Sequence, residues 1–179
     1  AKAWLASSGC VASQHTAAVT AHADRAVAWG VDASRIFLME ESVGGRFSLW
    51  SSVGLILMMT LGEAVFLQLL AGAHSMDQHA LSAPIACNIP ITLALLAFYN
   101  TQLLQAQTEA VVVYRHRLRG FVPYLQQLQM ESLGKRLTAF SEPCEGPTGS
   151  IVWGGEGPNT QLSFHQLLMQ SDCVVPVDF

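Results

Sequence analysis

The apolar residues of the chain alternate between short continuous runs and longer stretches with helical spacing. Four short runs, each bounded by turn formers or polar residues, predict β-strands at residues 16–20, 36–39, 150–153 and 173–177. Runs that are apolar throughout are typical of parallel strands buried on both faces. A further run at residues 111–114 is ambiguous and could form a fifth strand.

The longer stretches predict helices at about residues 21–29, 47–72, 88–107, 117–139 and 160–170. The order strand, helix, strand predicts an α/β protein with a parallel sheet. Between about residues 47 and 110 the pattern is almost wholly helical. Because this region separates two strand-containing parts, it predicts parts of two sheets in place of one complete sheet.

The apolar content, 51% of all residues, requires that a membrane protein be considered. The best candidate for a span is residues 49–73, which contain Glu63 and Gln68 together with two glycines, Gly54 and Gly62, that could break a helix. A spanning helix needs roughly 20 residues with few or no charges. We therefore predict two consecutive buried helices with a break near Gly62, and a helical membrane protein is the weaker alternative.

The charge and cysteine content exclude several classes of protein. Charged residues make up 12% of the chain and the net charge is −4, so we expect no electropositive face for nucleic acid or anionic lipid. The four cysteines lie far apart, without CxxC or metal-ligand spacing, which favours reduced structural thiols: Cys10, Cys87, Cys144 and Cys173. The first residues read as the middle of a helix, with no signal peptide and no initiating methionine, so we expect a trimmed or incomplete chain.

The first candidate for chemistry is the segment VGGRFSLWS at residues 43–51, where a strand and loop give way to a helix. Paired glycines, Gly44 and Gly45, allow positive φ and close approach of a ligand to the backbone. The N–H groups at the start of a helix favour an anion, so the guanidinium of Arg46 could serve an anionic ligand. The alternative is a tight turn whose arginine points to solvent.

The second candidate is the segment QQLQMESLGK at residues 126–135. Gln127 and Glu131 are one helical turn apart and therefore lie on one face. A partly desolvated glutamate has a raised pKa, which suits a base that takes and returns a proton near neutral pH. The alternative is an ordinary amphipathic helix in which Glu131 pairs with Lys135.

Two further polar segments carry weaker signals. The first is GAHSMDQH, residues 72–79, in which the spacing of His74 and His79 fits no common metal-ligand pair. We therefore predict a helix N-terminus there, with Asp77 in its first turns and the histidines hydrogen-bonded to the backbone. The segment WGGEGPNTQ, residues 153–161, predicts a glycine-rich turn between a strand and a helix, where ligands meet parallel strands. It lacks the GxGxxG and GxxxxGK[ST] spacings, so no dinucleotide or nucleoside triphosphate site is expected.

Taken in order along the chain, these segments resemble the glucose-6-phosphate isomerase family. The matching stretches are VGGRFSLWS (43–51), GAHSMDQH (72–79), NIP (88–90), QQLQMESLGK (126–135), TGSIVWGG (148–155) and QLLMQ (166–170). The resemblance implies an α/β fold of the sugar-isomerase (SIS) type, with two domains that each hold a mostly parallel sheet between helices. It places residues 1–60 in the rear of the first domain, 61–110 in a helical connection and 111–179 in the front of the second.

The resemblance also implies a reaction, the interconversion of glucose 6-phosphate and fructose 6-phosphate through a cis-enediolate, in a cytoplasmic homodimer without metal or other cofactor. Glu131 matches the carboxylate that moves a proton between C2 and C1 of the sugar. Arg46 matches the guanidinium beside the developing enediolate, where positive charge stabilises the transition state. Gln127 and Gly45 match substrate-contacting positions.

One departure from the family pattern lies at residues 157–164, GPNTQLSF, where the family reads GTNGQHxF. The histidine that assists ring opening, donated across the dimer interface, is replaced by Leu162, which can neither give nor accept a proton. His165 would lie one turn along the same helix and is a possible substitute. Thr160 replaces a glycine of the family and Met169 a histidine.

The departure leaves two interpretations open. In the first, the protein is an isomerase that opens the ring by another route or accepts the open-chain sugar. In the second, it is a relative with impaired or no activity, such as a non-catalytic sugar-phosphate sensor. The resemblance further implies that the family's Ser/Thr-rich phosphate loop and its late active-site lysine lie outside these residues. We therefore expect these 179 residues alone to be inactive.

Overall fold

Two separate parallel sheets form in the computed structural model, which describes residues 1–179. The sheets belong to different compact units, Ala1–Ser75 and Met76–Phe179. The expectation of two sheets in place of one is confirmed, while the assignment of the residues to parts of two SIS domains stays a prediction.

The first unit is built on a strand–helix–strand crossover. The elements are α1 (Lys2–Ser7), α2 (Ala12–His15), β1 (Ala18–Thr20), α3 (Ala23–Trp29) and β2 (Ile36–Leu38). The strands β1 and β2 pair in parallel with Ala18 opposite Ile36, as a helical crossover between them requires. Asp32 caps the turn before β2, and its hydrogen bonds from Ser34 hold the pKa of that carboxyl below its usual value.

The helical region after β2 begins with tight turns and continues as two helices. Gly45–Trp50 and Ser52–Gly54 are 3₁₀ segments, followed by α4 (Leu55–Leu61) and α5 (Glu63–Ser82). The predicted break near Gly62 is confirmed, since this residue separates α4 from α5 with a φ of 90°, which only glycine adopts readily. The prediction that both helices are buried is wrong, because neither holds a buried residue in this chain. None of the helices is long and apolar enough to cross a membrane.

The second unit holds a three-stranded parallel sheet of order β4-β3-β5, with β3 (Thr108–Val113) in the centre, β4 (Ile151–Glu156) and β5 (Val177–Asp178). Its helices are α6 (Ile89–Phe98), continued by a π-helical turn Tyr99–Leu103, then α7 (Phe121–Leu125), α8 (Gly157–Thr160) and α9 (His165–Gln170). The core packs β3 and β4 against α7 through the following apolar residues: Val111, Val113, Val122, Leu125 and Val152.

Three of the runs in the sequence can be compared with the strands of this sheet. The ambiguous run at 111–114 belongs to the central strand, and the run at 150–153 belongs to β4. The strand predicted at 173–177 is wrong, because only Val177 of that run pairs with β3. Pro176 has no N–H to donate, and its carbonyl accepts a single bond from the amide of Ala110 at 2.9 Å.

Candidate functional site

The segment that contains Gly45 and Arg46 lies at the carboxyl edge of the first sheet. β2 ends at Leu38, and the next amide, that of Met39, still donates to the carbonyl of Thr20 on β1 at 3.2 Å. The hydroxyl of Ser52 donates to the carbonyl of Leu38 at 2.5 Å, which fixes the far end of the segment at the same edge. Ligands of open α/β sheets bind at this edge, so the position suits a binding residue.

The paired glycines do not adopt the positive φ that the sequence suggested. Gly44 has a φ of −68° and a ψ of 151°, and Gly45 is also outside the left-handed region, so that expectation is wrong. A Cβ added at Gly45 would meet no atom within 4 Å. A side chain at this position would therefore meet no steric obstacle within the chain.

The side chain of Arg46 packs against the ring of the next residue, Phe47. This side chain is half-buried, and Cζ lies 5.0 Å from the centroid of the Phe47 ring, within the range of a cation–π contact. The next turn is fixed by the buried Ser48, whose hydroxyl donates to the carbonyl of Gly45 at 2.7 Å. The alternative of an arginine that points freely into solvent is therefore wrong.

Gln127 and Glu131 lie on one face of a helix, as predicted. They belong to a π-helical segment, Gln126–Glu131, that continues α7, and Nε2 of Gln127 donates to Oε2 of Glu131 at 3.1 Å. The ammonium of Lys135 donates to the main-chain carbonyl of Glu131. π-Helical turns occur often at functional sites, and this one aligns an amide donor with the candidate base.

The Glu131 carboxylate lies at the amino-terminal edge of the second sheet. The helix runs back from the end of β3, so that Gln126 donates to the carbonyl of Val152 within β4 at 3.0 Å. Further along, the hydroxyl of Thr148, which precedes β4, donates to the carbonyl of Lys135 at 3.2 Å. Glu131 is exposed there, so the desolvation suggested by the sequence is not supplied by these residues.

Leu162 and His165 do not share a helix, contrary to the expectation. Leu162 lies in a turn between α8 and α9 with 96% of its surface exposed. His165 begins α9 and is half-buried, with Nε2 3.4 Å from Oγ1 of Thr160 and its ring 5.5 Å from that of Phe164. The imidazole is thus engaged within the chain, and the proposed substitution of His165 for the missing histidine has no support.

The polar segment at residues 72–79 lies within α5, so the predicted helix N-terminus there is wrong. The expectation that a histidine bonds to backbone is confirmed, because Nε2 of His79 accepts from the amide of Ile89 at 3.1 Å. No group of three or more His, Cys, Asp or Glu side chains converges in a way that could hold a metal ion.

One cluster at the carboxyl edge of the second sheet was missed by the sequence analysis. Nδ1 of His116 lies 3.0 Å from Oε1 of Glu156, which joins the loop after β3 to the end of β4. Nη1 of Arg119 lies 3.3 Å from Nε2 of the same imidazole. The signal was available, because three arginines and a histidine fall within five residues after an apolar run. Because the run at 111–114 is ambiguous as a strand in the sequence, the sequence does not place this basic segment at the edge of a sheet.

The comparisons with known proteins agree along the entire chain. The family model of phosphoglucose isomerase matches residues 1–179. The chain belongs to the phosphoglucose isomerase family. A glucose-6-phosphate isomerase of Shewanella putrefaciens is 43% identical to it over 100% of the chain, which spans 33% of that relative. The chain therefore covers about a third of the length of the curated family members it matches.

Solved structures show the same fold. The crystal structure of a glucose-6-phosphate isomerase from Chlamydia trachomatis superposes with a TM-score of 0.86 at 36% identity, over 98% of this chain and 34% of that one. A hypothetical protein from Thermus thermophilus superposes with a TM-score of 0.66 at 26% identity, over 86% of this chain and 34% of that one. The predicted α/β fold of the sugar-isomerase type, with helices and parallel sheets, is confirmed for this family member.

Proposed function

We propose that the longer protein to which this chain corresponds is a glucose-6-phosphate isomerase, which interconverts glucose 6-phosphate and fructose 6-phosphate. The observation that carries the proposal is the Gln127–Glu131 pair, in which an amide holds a carboxylate at 3.1 Å on a π-helical turn. Family membership over residues 1–179 supports it.

In this proposal Glu131 is the base of an aldose–ketose isomerisation. The carboxylate removes the proton from C2 of the open-chain aldose, and the electron pair forms the C1–C2 double bond of a cis-enediolate while charge moves onto O1. A proton passes from O2 to O1, and Glu131 then returns its proton to C1 as the C2 carbonyl forms. The hydrogen bond from Gln127 keeps one carboxylate oxygen oriented, so that the other can face the substrate.

Arg46 and Gly45 serve the anionic intermediate in the same proposal. The guanidinium stabilises the negative charge on the enediolate oxygens, which is a preorganised electrostatic effect. Its packing on Phe47 limits the conformational freedom that would otherwise be lost when the intermediate forms. The open space above Gly45 allows the sugar to approach the main chain.

The exposed Leu162 determines which form of the sugar the enzyme uses. Its side chain has no group that transfers a proton to or from the ring oxygen, and His165 is engaged with Thr160. We therefore propose that ring opening is slow on this protein and that the open-chain sugar is the productive substrate.

The remaining assignments are proposals drawn from the family. They are a cytoplasmic homodimer without metal or other cofactor, and two SIS domains to which residues 1–60 and 111–179 contribute, with 61–110 as a helical connection. Sedimentation equilibrium of the full-length protein tests the dimer.

The decisive experiment is replacement of Glu131 in the full-length protein. We expect Glu131→Gln to lower kcat by roughly 10²–10⁴-fold, because glutamine accepts no proton, while the hydrogen-bonding shape is retained. Exchange of deuterium from solvent into the hexose phosphates, followed by NMR, measures the proton transfer directly. Glu145→Gln, which removes the same charge at an exposed loop position, is the matched control. Unchanged exchange in Glu131→Gln would remove this residue from the mechanism.

A second function is favoured by Leu162 and by the exposure of Glu131: a sugar-phosphate sensor that binds without turnover. The wild-type full-length protein distinguishes the two. Hexose phosphate binding by calorimetry with no exchange between the two sugars would establish the sensor and exclude the isomerase.

A further inference from the structure

The loop after β3 concentrates positive charge in a chain whose net charge is −4. We name residues 115–119 the basic turn, since they contain Arg115, His116, Arg117 and Arg119. These residues hold three of the nine lysines and arginines of the chain, and all of them are exposed. The expectation that the protein has no electropositive face does not hold for this turn.

The only carboxylate that pairs with the basic turn, that of Glu156, is hydrogen-bonded to His116 and to none of the arginines. Glu156 lies 3.0 Å from Nδ1 of His116, and Arg119 lies 3.3 Å from Nε2 of the same ring and also donates to the main-chain carbonyl of His116 at 3.4 Å. Because arginine can only donate, Nε2 accepts and the proton resides on Nδ1, from which it is donated to Glu156. Glu156 thus orients the imidazole and does not pair with the positive charges of the arginines.

Arg115 and Arg117 form no hydrogen bond or ion pair through their side chains. Both lie in the loop that follows the carboxyl end of β3, the edge at which open parallel sheets bind ligands. Arg115 also lines a cavity of about 810 Å³ together with Tyr114, Leu118 and Phe121. Two guanidinium groups without a partner at such an edge can supply the N–H donors that a phosphoryl group accepts.

We propose that the basic turn is a binding site for the phosphoryl group of a small phosphorylated molecule. Arg115 and Arg117 supply the donors, and the Glu156–His116–Arg119 chain holds the turn in place. The site lies at the carboxyl edge of the sheet, whereas Glu131 lies at the amino-terminal edge. It uses none of the residues assigned to isomerisation and therefore stands independently of that function.

The test is titration of pyrophosphate into the full-length protein by calorimetry, in phosphate-free buffer at roughly 0.15 M salt, where long-range charge effects are screened. The variant is Arg115→Ser with Arg117→Ser. The matched control, Arg25→Ser with Arg136→Ser, removes the same charge at two other exposed positions. We expect the affinity of one binding event per chain to fall by at least roughly tenfold in the first pair only, since each charge-assisted hydrogen bond is strong. Circular dichroism verifies that both pairs are folded.

Equal isotherms for the wild type and the Arg115/Arg117 variant would overturn the proposal. An equal loss of pyrophosphate affinity in both double variants would also overturn it, because that result would indicate general electrostatic attraction. If glucose 6-phosphate competes with pyrophosphate for the binding that depends on Arg115 and Arg117, the ligand is a sugar phosphate. If it does not compete, the ligand is an inorganic phosphate. Binding of a single-stranded RNA oligonucleotide that depends on the arginines, without pyrophosphate binding, would replace the proposal with a nucleic-acid surface.

Discussion

The candidate catalytic side chains are held by their immediate neighbours in sequence. Glu131 receives its hydrogen bond from Gln127, and Arg46 packs on the ring of Phe47. These two contacts join residues that are close in sequence, so they depend on the local backbone conformation. Leu162 differs, because almost all of its surface is exposed.

The consequence of Leu162 can be measured in the full-length protein. We expect Leu162→His to raise kcat/KM for the cyclic hexose phosphate by roughly tenfold or more, since a general acid–base group typically contributes a factor of this order or larger. Because the position is exposed, stability should change little. Leu162→Gln is the control, which adds polarity without a group that titrates near neutral pH. An equal rate for all three proteins would show that this position does not limit ring opening.

At the scale of elements, the second sheet depends on backbone approaches that only glycine permits. Gly154 on β4 has a φ of 134°, and a Cβ there would collide with the carbonyl of Val111 on β3. The neighbouring Gly157 is equally enclosed, since a Cβ would collide with the Tyr114 ring. The glycine-rich segment at residues 153–157 therefore serves the packing of the sheet as well as any ligand.

Gly154→Ala should destabilise the full-length protein by about 3 kcal/mol or prevent folding, because it combines a backbone collision with strain at positive φ. The matched control is Gly72→Ala in the middle of α5, where a Cβ meets no atom within 4 Å. That change should stabilise by about 0.5–1 kcal/mol, since alanine favours the helix. Urea denaturation measures both, and a Gly154→Ala protein as stable as the wild type would contradict the strand geometry.

The connection between α5 and α6 depends on one buried amide. Asn88 is 1% exposed, its Nδ2 donates to the carbonyl of Ala80 at 2.8 Å, and its Oδ1 accepts from the amide of Ile91 at 3.2 Å. Asn88→Ala should cost about 1–3 kcal/mol, because two main-chain groups lose the partner that the buried side chain supplies. Asn88→Asp keeps the acceptor but removes the donor, so it should be at least as unstable at neutral pH. Thermal unfolding that is unchanged in both variants would contradict this role.

At the scale of the whole molecule, a large apolar surface is left uncovered. α6 is apolar around its circumference, yet Leu93, Leu95 and Phe98 are 58%, 60% and 61% exposed. A helix that is apolar on all sides is normally buried in a core. The chain spans about a third of its relatives, so this surface is consistent with burial by the remainder of a longer protein.

We predict that residues 1–179 in isolation associate and do not isomerise hexose phosphates. Exposed apolar patches of this extent drive association, and the exposed Glu131 lacks the dry surroundings of a working base. Light scattering with binding of a hydrophobic dye, together with a coupled isomerase assay, tests both statements. A monodisperse, dye-negative monomer would contradict the first, and measurable turnover would contradict the second.

The sequence by itself determined the parts of this protein that depend on local order. The strands at 36–38 and 151–153, the helix break at Gly62 and the shared helix face of Gln127 and Glu131 follow from side-chain periodicity and glycine chemistry. Family membership followed from motifs in order along the chain. The strands, the helix break and the shared helix face require no knowledge of distant residues, because each is specified within a few positions.

Only the tertiary structure decided the rest. It showed that the ambiguous run at 111–114 belongs to the central strand, which required a partner on each side. It separated Leu162 from His165, because the turn after α8 is fixed by packing of Phe164 on Trp153 at 4.6 Å. It also joined His116 to Glu156 across 40 residues. Contacts between distant segments arise when strands align, and no local pattern specifies that alignment.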